Sequence, residues 1–164
     1  MNQTGQKTLS PMDYAMKYLT LKDRTVSEVQ TYLDGKEFGE ADVDATVERL
    51  KELGLLNDAR YAQRFVETRL AAKPVSKRHL REQMKGHGLC DADIEAALDS
   101  LDTESEEANA NAVALKFARQ FRTLDPQKRR ERVLSRLIAR GYAYDTARKA
   151  YESVLSAEDE WSES

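Results

Sequence analysis

The segment Val29–Leu50, VQTYLDGKEFGEADVDATVERL, returns twice along the chain: as Leu80–Leu101, LREQMKGHGLCDADIEAALDSL, and as Val133–Val154, VLSRLIARGYAYDTARKAYESV. Six apolar positions keep register through all three copies. Val29, Leu33, Phe38, Val43, Val47 and Leu50 become Leu80, Met84, Leu89, Ile94, Leu98 and Leu101 after 51 residues. A further 53 residues give Val133, Leu137, Tyr142, Ala147, Tyr151 and Val154. The spacing is that of two amphipathic helices joined by a tight turn, and one inserted residue would break it. The turn repeats too: Lys36-Glu37-Phe38, His87-Gly88-Leu89 and Arg140-Gly141-Tyr142 each place a base, a middle residue and an apolar anchor. Gly suits the middle position because a helix commonly ends on a left-handed residue, where a Cβ is costly. Glu37 therefore predicts a different geometry for the first turn.

A third helix precedes each pair. Ser10-Pro11-Met12-Asp13 supplies a cap, a first-turn Pro and an early acid ahead of Tyr14, Ala15, Tyr18 and Leu19. Thr25-Val26-Ser27-Glu28 reads as a capping box, and Gly54 closes the helix that follows Gly39. Asn57 or Asp58 caps the next helix, Lys73-Pro74 breaks it, and Asp91 is the expected cap before Ile94. The last third repeats the plan, with helices at about Glu104 to Phe121, from Asp125-Pro126, and at about Tyr144 to Leu155. A period near 50 is longer than the two-helix repeats of about 34 residues and fits a three-helix unit. Such a unit is too small to bury much core alone, so neighbours stack. The expected fold is all-α: three tandem three-helix, helix-turn-helix-like repeats in an elongated array open to curvature. The expected divisions are a disordered 1–10, repeats at 11–54, 55–102 and 103–156, and an acidic tail at 157–164.

Composition narrows the function. The chain has 164 residues, 40% hydrophobic and 34% charged, with a single cysteine, Cys90. One cysteine permits neither an intrachain disulfide nor a thiolate metal cage. Met1 to Ser10 lack the apolar stretch of a secretion signal, and no run approaches the roughly 20 apolar residues of a membrane helix. The expectation is a cytoplasmic monomer with no membrane contact. No nucleophile-base set can be assembled and none of the seven glycines forms a phosphate-binding pattern, so no enzyme and no cofactor is expected. His79 and His87 read as surface or helix-end residues lacking a metal-spaced companion, and Cys90 as packing at a helix start. The few aromatics fall at core spacing, which speaks against a stacking platform for single strands.

Net charge is only −3, but its distribution is uneven. Lys73 to Lys85 holds Lys73, Lys77, Arg78, Arg81 and Lys85 against Glu82 alone, and Lys116 to Arg140 holds nine bases against Asp125 and Glu131. Asp91 to Glu107 holds eight acids and no base, while Glu28 to Asp58 has nine acids against three bases. Lys128, Arg129 and Arg130 lie in a first helical turn, where the helix dipole disfavours cations, so a partner of negative charge is expected to stabilise them. The candidate partner-binding residues are Lys77, Arg78, Arg81, Lys85, Lys128, Arg129, Arg130, Arg132, Arg136 and Arg140.

The stretch Leu55-Leu56-Asn57-Asp58-Ala59-Arg60-Tyr61-Ala62-Gln63-Arg64-Phe65-Val66 resembles the signature segment of the RecX regulatory family. Arg24-Thr25-Val26-Ser27-Glu28-Val29 with Leu33 upstream, and the His87-Gly88-Leu89 and Arg140-Gly141-Tyr142 turns downstream, extend the likeness over roughly Tyr14 to Leu155. Glu37, where the family usually has Gly, is the main departure. The resemblance implies three tandem three-helix repeats. It also implies binding of the RecA recombinase, chiefly as the RecA–DNA filament, and modulation, usually inhibition, of its ATPase, strand-exchange and coprotease activities. Weak direct DNA contact is compatible with the same basic residues, and the alternative function is that of a DNA-binding helix-turn-helix regulator. Asp58 and Arg60 match the family segment but are read first as structural, with Arg60 pairing an acid of a neighbouring unit.

Overall fold

A computed structural model of the chain describes residues 8–163. Nine α-helices and no strand occur among them: α1 Pro11–Leu21, α2 Val26–Asp34, α3 Glu40–Glu52, α4 Asp58–Ala72, α5 Lys77–Gly86, α6 Asp91–Leu98, α7 Thr103–Gln120, α8 Pro126–Ala139 and α9 Tyr144–Ser162. Most of the expected segment 1–10 lies outside the described residues. Ser10 lies inside them and forms a reciprocal capping box with Asp13. Thr25 does the same with Glu28, while Asn57, Ser76, Asp102 and Asp125 each accept a backbone N–H one turn on. A side-chain cap of this kind contributes about 1 kcal/mol. The cap of α6 is Cys90 rather than Asp91, which occupies the first helical position.

Close helix packing is confined to three groups, α1–α3, α4–α6 and α7–α9. Each has its own buried cluster. Unit 1 is built on Val29, Leu33, Val43, Val47 and Leu50; unit 2 on Ala62, Leu80, Met84, Ile94 and Leu98; unit 3 on Phe117, Val133, Leu137, Tyr151 and Val154. The repeated apolar positions are thus the core of each unit. Leu56 buries into the first cluster rather than the second, its N–H bonding back to Leu50 O, so the unit 1 core extends past residue 54. The last helix does not stop near Leu155. It runs on to Ser162, and Trp161 projects from it 84% exposed.

The first turn departs from expectation. Glu37 sits at φ 64°, in the left-handed region occupied by Gly88 at 77° and Gly141 at 88°. The second and third turns add a closing bond, Leu89 N–H to Met84 O and Tyr142 N–H to Leu137 O, that is not found in the first among the described residues. The need for glycine in the later two turns has a tertiary cause. A Cβ on Gly88 would collide with the Ser27 side chain, and one on Gly141 with Ser76 Oγ, because each of these turns presses on the preceding unit. At the first turn Glu37 holds φ 64° with a Cβ in place, so a tolerable dihedral suffices there. Replacing Glu37 with Gly removes left-handed strain and should raise stability by about 0.5–1 kcal/mol, after the entropy lost to a freer unfolded chain. Denaturant unfolding measures it; an unchanged or lowered midpoint refutes the strain.

Candidate partner-binding site

The units meet through small polar joints of repeated design. At the first, Thr25 Oγ1 donates to His87 O at 2.6 Å and Val26 N–H donates to Asp58 Oδ1 at 2.9 Å. At the second, Ser76 N–H donates to Arg140 O at 3.2 Å and Lys77 N–H donates to Glu106 Oε1 at 3.1 Å. In both, the N-terminus of one unit's middle helix receives the turn of the next unit and a carboxylate from its first helix. Those N–H groups are among the donors a helix leaves unpaired at its start, so the next unit completes the previous helix.

Two residues of the family-like segment take roles the sequence did not disclose. Asn57, not Asp58, caps α4, which frees Asp58 to cap α2 across the joint. Burial pushes the Asp58 carboxyl upward, only partly countered by that N–H. Among the described residues Arg60 pairs with no acid of a neighbouring unit; it donates to the Gly54 carbonyl at 2.7 Å. His87, the C-cap of α5, lies 2.9 Å through Nδ1 from Glu28 Oε1, an acid 59 residues away in the chain. Burial raises the Glu28 carboxyl, but His87, the Thr25 N–H and Arg24 together hold it below its ordinary value. Thr25 and Ser76, 51 residues apart at matching helix starts, were the legible signal for these joints.

The ten candidate bases divide sharply. On α5, Arg81 makes a two-pronged pair with Glu95 at 2.6 and 3.1 Å, Arg78 meets Glu82 at 3.4 Å, and Lys85 lies 3.5 Å from Asp91. The acids of α6 thus answer the bases of α5 within unit 2, and Lys77 contributes its backbone to the joint. On α8, Arg129 turns inward. Its side chain is 15% exposed, donates twice to Ala118 O at 2.9 and 3.1 Å, and grips Glu158 at 2.7 and 3.0 Å. The hydrogen bond to Arg129 holds the Glu158 carboxyl below its ordinary value. Arg130 is half-buried, and Lys128 reaches Asp125 at only 3.7 Å with both side chains exposed.

Arg132, Arg136 and Arg140 have no ion pair among the described residues. With Lys128 they stand four residues apart, which lines them along one edge of α8. Arg136 and Arg140 lie 5.6 and 5.2 Å from the Phe117 ring, and Lys116 lies 5.6 Å from it on α7. The ring offsets a part of this repulsion at about 0.5–1 kcal/mol per exposed cation. A base beside an aromatic ring at this position recurs in every unit: Lys36 is 5.3 Å from Tyr14, and His87 is 5.4 Å from Phe65. No cluster of metal-ligating side chains and no membrane-spanning helix is present among the described residues.

Comparison with known proteins agrees with this architecture. The family model for the first three-helix domain of RecX matches residues 12–50, and that for the second matches 57–98. Regulatory protein RecX of Streptomyces coelicolor is 30% identical over 162 residues, covering 96% of this chain and 86% of the relative. The chain belongs to the RecX family. Regulatory protein RecX of Leuconostoc mesenteroides is 27% identical over 97% of the chain, which spans 58% of that longer relative. The crystal structure of RecX from Lactobacillus salivarius superposes with a TM-score of 0.78, covering 88% of this chain and 94% of the other, at 21% identity. That likeness shows the fold alone. The two matched RecX domains coincide with units 1 and 2, and the alignment to the Streptomyces relative, at 162 residues, runs through unit 3 as well.

Proposed function

We propose that this RecX-family chain is a stoichiometric regulator that binds RecA, chiefly as the RecA–DNA filament, and restrains its ATPase, strand-exchange and coprotease activities without chemistry of its own. The observation that carries the reading is the basic edge Lys128–Arg132–Arg136–Arg140, whose one ion pair among the described residues is the loose, exposed contact of Lys128 with Asp125, with Lys116 beside it, on one unit of a three-unit array. Like charges at close quarters are unfavourable in the free protein and are relieved by an anionic partner. Several small units joined in one chain can each touch a successive protomer of a filament, so that weak contacts reinforce one another through effective concentration. The paired bases of α5 and the inward Arg129 leave the contact centred on α8. The chain acts as a monomer in this scheme, and any direct DNA contact is made by the same edge.

The test is a RecA ATPase and strand-exchange assay at substoichiometric protein. Inhibition is expected; no effect at any ratio refutes the reading. Replacing Arg132 and Arg136 by Ser should weaken filament binding about tenfold or more while leaving helical circular dichroism intact. Full binding by that variant places the contact elsewhere. A direct DNA-binding regulator would instead show sequence preference that survives about 200 mM salt, whereas simple phosphate attraction fades there.

A further inference from the structure

The start of α2 and the start of α4 meet at the first joint, and each brings an arginine whose hydrogen-bonding capacity is largely unspent. Arg24, half-buried, lays its guanidinium over the Tyr18 ring at 4.0 Å, and Tyr18 stacks in turn on Tyr32 at 4.1 Å. Stacking fixes the guanidinium but occupies none of its five N–H groups. Arg24 Nε is buried without an acceptor, and the side chain forms no ion pair or hydrogen bond among the described residues. Arg60 is held differently. One of its Nη groups donates to the Gly54 carbonyl at 2.7 Å, and its backbone N–H donates to Asn57 Oδ1 at 2.9 Å. The rest of its fork, like the Asn57 amide nitrogen, has no partner among the described residues. Asp23, Arg24, Leu55, Asn57, Arg60 and Tyr61 line one crevice with room for about 10 Å³, close to the space of a single water oxygen. The nearby acids are committed elsewhere. Asp23 pairs with Arg64 at 3.0 Å, and Glu28, on which the Arg24 charge also acts, pairs with His87 at 2.9 Å.

We propose, on the reading that the chain binds a protein filament, that this crevice seats one aspartate or glutamate side chain of that filament on the Arg24 and Arg60 guanidiniums. Forks held in place before the acceptor arrives lose little freedom on binding it, and a carboxylate can accept from two of them at once. Both arginines also stand at helix starts, Arg24 just ahead of α2 and Arg60 in the first turn of α4. The helix dipole disfavours a cation there and favours an anion. A carboxylate suits the seat better than a phosphate does. The crevice admits one oxygen rather than a tetrahedral group, and Asp23 in its wall opposes a second negative charge. Leu55, 42% exposed, and the half-buried Tyr61 ring supply apolar wall for the methylene carbons of an acidic side chain. Arg24 belongs to unit 1 and Arg60 to unit 2, so an occupied seat ties the two units together at their joint. With the α8 edge on unit 3, it gives the filament two separate attachments on one chain.

The Arg24 Nε–H, buried and therefore slow to exchange, gives a probe that needs no filament. In proton–nitrogen correlation spectra, replacing chloride by acetate at a constant ionic strength of about 100 mM should shift that signal saturably. Phosphate at the same ionic strength should shift it less. Arg60→Lys keeps the charge and loses the fork, and should weaken the acetate response about tenfold. On the filament, Arg24→Lys and Arg60→Lys should each lower affinity about tenfold with unchanged circular dichroism. Where Arg24→Lys lowers the thermal midpoint, the exposed Arg60→Lys decides alone. Absence of a saturable acetate shift overturns the seat, and so does an unchanged acetate response or full filament binding by Arg60→Lys. A phosphate response as strong as that of acetate overturns the carboxylate in favour of nucleic-acid phosphate. Failure of the wild type to bind the filament while the acetate response holds instead refutes the filament reading.

Discussion

Gly141→Ala is expected to lower stability by about 2–3 kcal/mol and to uncouple unit 3 from unit 2. Three contributions add. Alanine at φ 88° carries left-handed strain of about 1–2 kcal/mol. Its Cβ would collide with Ser76 Oγ and come within 2.8 Å of His79 Cβ. Ser76 is 1% exposed and caps α5 by accepting the His79 N–H at 3.0 Å, so it cannot yield without losing a cap worth about 1 kcal/mol. In a chain of small units, stability is close to a sum of unit terms and nearest-neighbour terms. Loss of one neighbour term should broaden thermal unfolding and lower its midpoint, with the helical signal at low temperature retained. Gly54→Ala is the control. Gly54 has φ 71° but open space around its missing Cβ, so it reports backbone strain alone. Equal losses in the two variants would mean that the Gly141 turn does not press on unit 2.

Arg129→Ala should cost about 2–3 kcal/mol, whereas Arg132→Ala, three residues away on the exposed side, should stay within about 0.5 kcal/mol. Arg129 acts as a side-chain cap for the end of α7. The Ala118 carbonyl is one of the last four that a helix leaves without an internal partner, and Ala118 is fully buried. Removing the guanidinium strands that oxygen, at about 1–3 kcal/mol. The Glu158 arm adds less than its geometry suggests, since the Glu158 side chain is 40% exposed and the pair is partly screened. The pH dependence follows from the depressed Glu158 carboxyl. A lowered folded-state value contributes stability above the ordinary carboxylate range, here 4.5, that is lost as pH falls through the depressed value. The gap between wild type and Arg129→Ala should therefore narrow below about pH 4. Matching urea midpoints for the two proteins at neutral pH would exclude the clamp.

These roles of Gly141 and Arg129 mark where sequence reading stops. Both residues were visible beforehand, one as a turn glycine and the other as one of nine bases between Lys116 and Arg140. What remained hidden was the neighbour. Arg129 looks identical to Arg132 in a list of charges, yet helical rotation sends it inward and leaves Arg132 exposed. The same rotation converts a basic run into an edge of four and a buried clamp. On α5 the difference arises from α6, whose acids fold back against Arg81 and Lys85.

The repeat that opened the sequence was sufficient to determine the three-helix unit, because core burial requires apolar residues at helical spacing and tolerates no slip. It also determined most helix starts, since caps act within a few residues. It could not determine how one unit sits on the next. That is decided by contacts such as Glu28–His87 and Ser76–Arg140, made by groups about 60 residues apart in the chain. Their partners are fixed only when the helix ends have been brought together in space. Glu37 shows the distinction at a single position. The sequence marks it as an exception to a glycine pattern, and only the tertiary structure shows why the other two turns need glycine, since a Cβ there would meet Ser27 or Ser76 of the preceding unit.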